Sequence, residues 1–485
     1  MTEQVNQNIP ISFAQLGKLI YNDIEKSTTK SSIMTKYTKE QIVRFLENPK
    51  GNQKELRKLS NFLFNGSPNY RRLILYFANM LKFDYIVEPF DLNTEKIEID
   101  KFKKQYLQTI KSLEIMNIPH EMQKVLKTCF KEDVFYGYEH STVDSYFIQR
   151  LNPDFCRISS IEDGIYNFEF DFSFFNDSTY NVENYPQEFQ TKRKLYLNDK
   201  LNNRWQELDS KQTICIKIND EFEYPVPPFN TVFEAVFDID ETKRMRKIST
   251  KMDNYMILTQ QIPIDDKKSE PNQFLIDLDT AIAFHNKAIQ SLPEEVGLVT
   301  SPMKIEAIKL ERRNKDADHV AQSERDYYNA SGVSQMLFNS DKTNSTALSK
   351  SITTDEQIVL TVLRQIERWV NRKLKYINNK YKFRVKFLDT TNFNYKEISD
   401  LYLKAAQYGM PVKQELAATL GLSPSSLISK TFLENDVLDL HNKLIPLSSS
   451  HTISGKDGAG RPTKNEDELS ESGLKTKDTD GNIRE

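Results

Sequence analysis

The spacing of apolar residues predicts an α+β fold, because its period changes twice along the chain. Helical spacing holds to about residue 132, alternation takes over from Val134 to Ile218, and helical spacing returns after Pro227 and Pro228. Length adds a third observation. A chain of 485 residues exceeds the ~250–300 that a single core serves, so more than one packed body is expected.

Residues 1–50 are polar, and only Phe13, Leu16, Leu19 and Ile20 hint at a short helix, so order is expected to begin near Asn52. Leu56, Leu59, Phe62 and Leu63 then mark a helix that Gly66 and Pro68 break. The run 71–81 is apolar on nearly every face, as in a helix buried on several sides. A short strand at 83–87 should stop at Pro89. Two amphipathic helices follow, one striped by Phe102, Tyr106, Ile110 and Leu113, the other by Val125, Leu126, Cys129 and Phe130. In the alternating region Tyr166, Phe168, Phe170, Phe172 and Phe174 face one way, and Asn167, Glu169, Asp171 and Ser173 the other. Further strands are expected near 143–151, 192–197 and 213–218, forming an antiparallel sheet with one face buried.

After the two prolines a helix is expected from Asp238 to Gln260, striped by Met245, Ile248, Met252, Tyr255 and Met256. Its acidic residues precede its basic ones, which suits the helix dipole. A charged loop, 261–272, leads into a compact insert. The insert holds a helix on Leu278, Ala281, Ile282, His285 and Ile289, then a strand on Met303, Ile305 and Ala307. A return helix over 316–330 stops at Gly332. A polar loop, 333–350, enters the longest helix, striped by Leu348, Ile352, Val359, Val362, Ile366 and Trp369, with Lys373 able to snorkel. Phe383, Val385 and Phe387 alternate with Lys382, Arg384 and Lys386 in a strand. Short helices fill 396–445, broken at Gly409 and Gly421. Beyond Pro446 the chain carries too few apolar groups to offset its ordering entropy, and a disordered tail is expected.

Composition narrows the function classes. Lys and Arg number 66 against 69 for Asp and Glu, a net charge of −3, whereas a protein gripping DNA along its whole surface carries a basic excess. Three distant cysteines, Cys129, Cys156 and Cys215, suit buried thiols rather than a disulfide framework. No signal peptide opens the chain, and no apolar run approaches the ~20 residues of a membrane span. A cytoplasmic site of synthesis without membrane contact is expected.

No motif carries chemistry. The phosphate-cradling loop with Lys and Ser/Thr is missing, and 458–464 (GAGRPTK) reads as linker. Six histidines make no H-x-x-x-H pair, so no metal site, cofactor or catalytic residue is expected. The pairs Asp265/Asp266 and Asp277/Asp279 suit solvation and N-capping better than a cation. Residues 412–430 resemble a helix-turn-helix in which Ala417 and Leu420 pack, Gly421 turns, and SPSSLIS opens the second helix. That helix starts with serines rather than Arg, Asn or Gln, so two packed helices joined by a glycine turn are the better reading. A DNA-binding regulator or accessory protein using 412–430 is the alternative function.

Several segments resemble the portal proteins of tailed bacteriophages, in the branch infecting Gram-positive hosts. They are 59–89 (LSNFLFNGSPNYRRLILYFANMLKFDYIVEP), 151–158 (LNPDFCRI), 226–243 (VPPFNTVFEAVFDIDETK) and 330–340 (ASGVSQMLFNS), and the order of elements over about 45–445 follows the same family. The resemblance implies a portal fold: a flexible arm (1–50), a wing of helices and antiparallel sheet (51–228) and a first stem helix (229–260). A small α/β clip (261–312), a second stem helix (313–332), a tunnel loop (333–350), a long kinked wing helix with its strand (351–393) and a helical crown (394–446) follow, before the tail (447–485). It also implies a homododecamer at one capsid vertex of the virion, assembled in the host bacterial cytoplasm, serving genome packaging and ejection. Implied partners are the terminase large subunit, a head–tail connector or adaptor, the major capsid and scaffolding proteins, and double-stranded DNA held without sequence preference. On this reading Asn339, Ser340, Asp341, Lys342, Thr343, Asn344 and Lys350 face the DNA channel. Lys243, Arg244, Arg246, Lys247 and Lys251 sit between subunits in the stem, and Asp265, Asp266, Lys267 and Lys268 serve docking at the clip.

Overall fold

Thr38 opens the first described helix of the computed structural model, in which the described residues are 36–142, 144–177, 180–220, 224–254, 256–263, 275–292, 296–301, 319–334, 337, 345–377 and 379–444. Its hydroxyl accepts from the Gln41 amide and the Gln41 side chain accepts from the Thr38 amide, a capping box that starts α1 (Lys39–Glu47). Helix thus lies inside the stretch expected as an arm, anchored by the buried Ile42. Residues 1–35 are outside the described residues. α2 (Gln53–Gly66) and α3 (Pro68–Ala78) meet at Ser67, which accepts from the Tyr70 amide and donates to the Leu63 carbonyl. Pro68 takes the first turn of α3, where no amide donor is needed.

β1 (Tyr85–Phe90) continues through Pro89, against expectation. Leu388 donates to the Asp84 carbonyl, so the hydrogen-bonded pairs of this antiparallel ladder fall at 84, 86, 88 and 90. Pro89 is therefore in a non-hydrogen-bonded pair, and its nitrogen faces the open edge, where a missing donor costs nothing. α4 (Ile99–Met116) and α5 (Ile118–Glu132) join at Asn117, whose φ of 43° makes the turn.

The alternating region forms two antiparallel sheets rather than one. β2 (Val134–Ser141), β3 (Tyr146–Arg150), β4 (Cys156–Glu162) and β5 (Ile165–Asp171) precede α6 (Gln187–Asn198), β6 (Trp205–Glu207) and β7 (Thr213–Lys217). The strand orders are β3-β2-β7 and β4-β5-β6. The first sheet is a wall between two cores. Phe135, Ile214 and Ile216 face the main core, while Tyr136, Tyr138 and Cys215 face a second, aromatic core with Phe168, Phe170, Phe172, Phe174 and Phe189. Buried on both sides, β2 loses the polar face a half-exposed strand would show.

Three expectations fail here for visible reasons. The strand through Phe174 ends at Asp171, which accepts from the Ser173 amide at 2.9 Å and pairs with Arg204 at 2.9 Å, turning Phe172–Asn176 into a 3-10 helix. Asn167 and Asp171, expected outward, are buried, Asn167 because Arg372 donates to it at 3.2 Å. Residues 192–197 belong to α6, whose Phe189 and Tyr196, seven apart, share one buried stripe.

The chain continues through α7 (Phe233–Asn254), β8 (Met256–Gln261), α8 (Leu278–Ser291), β9 (Val296–Ser301), α9 (His319–Ser331), α10 (Ser345–Tyr376), β10 (Lys382–Phe387), α11 (Tyr395–Gln407) and α12 (Lys413–Thr419). The 32 residues of α10 span about 48 Å. Its buried row, Val359, Val362, Leu363, Ile366, Trp369, Val370 and Leu374, packs in the main core. Polar contacts fix it against the wall: Trp369 Nε1 donates to the Thr213 carbonyl at 3.1 Å, and Gln365 Nε2 to the Lys217 carbonyl at 2.8 Å. Lys373 does not snorkel; its ammonium pairs with buried Glu139. β10 alternates as expected, with Phe383, Val385 and Phe387 buried.

The chain divides into two compact units, 1–425 and 426–485. Described residues of the second unit lie in the end of α13 (Pro424–Thr431), a π-helical turn (Phe432–Val437) and α14 (Leu440–Lys443). Among the described residues no helix is long and apolar enough to cross a membrane. Of the expected tail, 447–485, all residues are outside the described set.

Candidate functional site

α7 is two helices in one by composition. Its first turns bury Phe233, Val236, Phe237 and Ile239 in the main core, and its later turns are charged. It starts five residues before Asp238 and ends at Asn254; Met256–Gln261, expected as its last turns, is a strand paired with β9. Of the expected stripe, Met245 is 56% exposed and Ile248 half-buried, and the side chains of Met252, Tyr255 and Met256 are outside the described residues. α9 buries Val320, Tyr327 and Tyr328 and ends at Gly332, whose φ of 72° stops it.

The two helices run antiparallel. Thr231 Oγ1, just before α7, donates to the Ala330 carbonyl at 3.2 Å, whereas further along Thr242 Oγ1 meets Ser323 Oγ at 2.9 Å and Lys243 pairs with Glu324 at 3.2 Å. α1 braces the same pair through Lys39 and Asp238 at 2.7 Å. Of the cations expected between subunits, Lys243 thus spends its ammonium within the chain. Arg244 is half-buried, its Nε enclosed without an acceptor among the described residues. Arg246 and Lys247 are exposed. The Lys251 side chain is outside the described residues.

Between α7 and α9 lies a small β-α-β insert. β8 and β9 pair in parallel from Met256↔Val296 to Gln261↔Ser301. α8 lies over them through Ala281 and through His285, whose Nδ1 is 2.7 Å from Thr300 Oγ1. His285 is therefore a packing histidine, as its place on the apolar stripe suggested. Asp277 stands at the N-cap of α8 but makes no side-chain cap bond. Asp265, Asp266, Lys267 and Lys268 and the strand expected at Met303–Ala307 are outside the described residues.

The loop expected at 333–350 is shorter than its sequence suggested, because α10 begins at Ser345. Lys350 is consequently a helical residue, exposed on the second turn. Asn339, Ser340, Asp341, Lys342, Thr343 and Asn344 are outside the described residues.

Two polar sites escaped the sequence reading. Asp133, with a φ of 73° and fully buried, pairs with buried Lys217 at 3.4 Å and accepts from the amides of Asn219 (2.8 Å) and Val226 (3.1 Å). It fixes the segment leading to α7, and burial pushes its carboxyl up. On α10, Asp355 accepts from the Tyr76 hydroxyl at 3.0 Å and Glu356 from Thr391. Burial pushes the Asp355 carboxyl up to about 6, helped by the nearby charge of Glu356 and opposed by the Tyr76 bond. Asp355 occupies the stripe position between Ile352 and Val359, a signal that could have found it; nothing in the sequence marks Asp133.

The helix-turn-helix segment uses its first helix for packing. Ala418 of α12 is buried against Ile86 and Leu388, at the β1–β10 sheet, and Ser423 donates to Glu114 at 3.0 Å. Leu420, expected to pack, is 68% exposed. All three cysteines are buried, and burial raises each thiol. Among the described residues no group of three or more His, Cys, Asp and Glu side chains is placed to hold a metal.

No family model matches the chain, and no curated protein matches it. Solved structures similar to the chain include two from one kind of particle. One is a chain of the virion of a native gene transfer agent (GTA) particle, 13% identical, covering 77% of this chain and 94% of that one with a TM-score of 0.40. The other, from the neck of an empty GTA particle computed with C6 symmetry, is 14% identical over the same shares with a TM-score of 0.40.

Proposed function

We propose that the chain is the subunit of a tailed-phage portal, a ring at one capsid vertex through which DNA enters and leaves the particle. The observation carrying the reading is an order of elements: two antiparallel helices, α7 and α9, bracket a small β-α-β insert and are followed by the 32-residue α10. The portal-like segments 59–89, 151–158, 226–243 and 330–340 support it from the sequence side.

In this role α7 and α9 are the stem, the insert is the clip that docks terminase and then the connector, and 339–344 with Lys350 approach the DNA. The chain needs no catalytic group or cofactor for this task; it positions walls. A net charge of −3 suits a conduit, since a basic surface would hold the phosphate backbone rather than let it slide. A gold label on the chain's C-terminus in purified virions tests the location. Label at a single vertex is the expected result; label spread over the shell, or none, would overturn the reading.

A further inference from the structure

The β3-β2-β7 wall separates two faces of opposite charge. On the main-core side α3 and α5 lie antiparallel. Gln123 Nε2 donates to Asn79 Oδ1 at 3.0 Å at one end, and at the other Arg71 and Lys131 stand 5.5 and 5.1 Å from the centre of the Phe64 ring. At ~100° per residue Lys124, Lys127 and Lys131 fall within about 60° of one another, a row along the outer side of α5. The only acids of these two helices, Glu121 and Glu132, are buried and tied to Lys124 and Arg150, both at 2.6 Å. Arg71 and Lys127 are exposed, and among the described residues no carboxylate pairs with either of them or with Lys131. Burial lowers the Lys131 ammonium against the pull of Glu132, and the charges of Arg150 and Lys127 lower it further. On the aromatic-core side, α6, β6 and the end of β4 surround an open cavity of about 640 Å³. Its walls carry Glu162, Glu188, Glu207 and Asp209 against Lys192, with Arg372 buried behind it on Asn167 and Ser210. Lys192 pairs with Glu188 at 2.7 Å, and among the described residues no cation pairs with the other three carboxylates.

We propose that the basic row of one copy, Arg71 with Lys124, Lys127 and Lys131, docks on the acidic cavity of a second copy of this chain. The two faces match in sign, and they belong to elements packed on opposite sides of one wall, so a single partner does not cover both. Unlike, complementary patches placed in this way make a head-to-tail contact, which closes into a ring. Duplex DNA fits the row less well. A protein that holds DNA neutralises roughly 6–10 phosphates, more than these four cations offer. The proposal rests on the ring reading and assigns part of the ring's seam to α5 and the cavity. Exposed ion pairs are individually weak, so the contact adds to a larger seam and counts through its repetition around the ring.

Charge reversal and mixing test it. Arg71→Glu/Lys127→Glu reverses the two exposed, unpaired cations of the row, and Glu162→Lys/Glu207→Lys reverses two exposed acids of the cavity. Each double variant should lower the ring fraction at least tenfold at equal chain concentration, with the melting temperature of the parent. Equal parts of the two variants should regain the parent's ring yield, because alternating copies then present opposite charges at every seam. A folding defect would not be mended by mixing. Rings at the parent yield in either double variant alone would overturn the proposal. So would a mixture that stays unassembled while both variants melt like the parent. Either result, with parent rings intact, removes this contact and leaves the ring reading standing; a parent chain single at every concentration removes both.

Discussion

Asp133 shows how a buried charge orders the backbone around it. It stands at the corner between α5 and β2 in the left-handed region, holds the amides of Asn219 and Val226, and faces the ammonium of Lys217, which is 1% exposed. Asp133→Ala should cost about 3–5 kcal/mol in denaturant unfolding, because the buried Lys217 charge then loses the Asp133 carboxylate and the Asn219 and Val226 amides lose their acceptor. Replacing both, as Asp133→Ala/Lys217→Met, should recover part of the loss, since no uncompensated charge remains. Asp355 gives the pH dependence. Its folded-state value of about 6 lies above that of the unfolded chain, so the folded state binds more protons between about pH 4 and 6. That contribution to stability is full below the unfolded value and is lost as pH rises through about 6. Asp84, also pushed up by burial, acts in the same direction. The melting temperature should therefore gain from a shift from pH 7 to pH 5, and Asp355→Asn should flatten that gain; an unchanged slope in the variant would contradict the assignment.

Elements with one face against a core were legible, and elements set by long-range partners were not. The stripes of α2, α4, α5 and α10 and the alternation of β10 stand where the spacing placed them. Residues 192–197 and 256–261 exchanged identity, a strand becoming helix and a helix strand, because short apolar runs fit either period until a partner decides: Phe189 with the aromatic core, β9 with β8. Asn167 and Asp171 read as surface because their partners, Arg372 and Arg204, are 205 and 33 residues away. At the candidate site the helical pair and the insert's helix α8 were readable; its strands β8 and β9 were not, and neither was the pairing of Lys243 with Glu324, since many charges on α7 could have met many on α9. Exchanging exposed Lys247 for Glu should weaken assembly while shifting the chain's own stability by less than about 1 kcal/mol. Sizing and melting on the same samples would show it, and full assembly in the variant would contradict it.

At the scale of the whole chain, the wall of β3-β2-β7 has a core on each side and α10 locked across it, while among the described residues the charged parts of α7 and α9 and the β-α-β insert form no core cluster of their own. A two-stranded parallel sheet under one helix is too little to be stable alone, and the exposed Phe284 (58%) and Ile289 (45%) of α8 show how much of it stays uncovered. In the proposed ring, contacts repeated at every interface around the assembly supply the stability such parts lack alone. The most direct test of the ring is the mass of the purified full-length chain in solution by mass photometry. The account predicts a dominant species near 680 kDa, about twelve chains of 56.6 kDa each, with its mass unchanged by added duplex DNA. A single species at the mass of one or two chains that shifts on binding one particular duplex would contradict it.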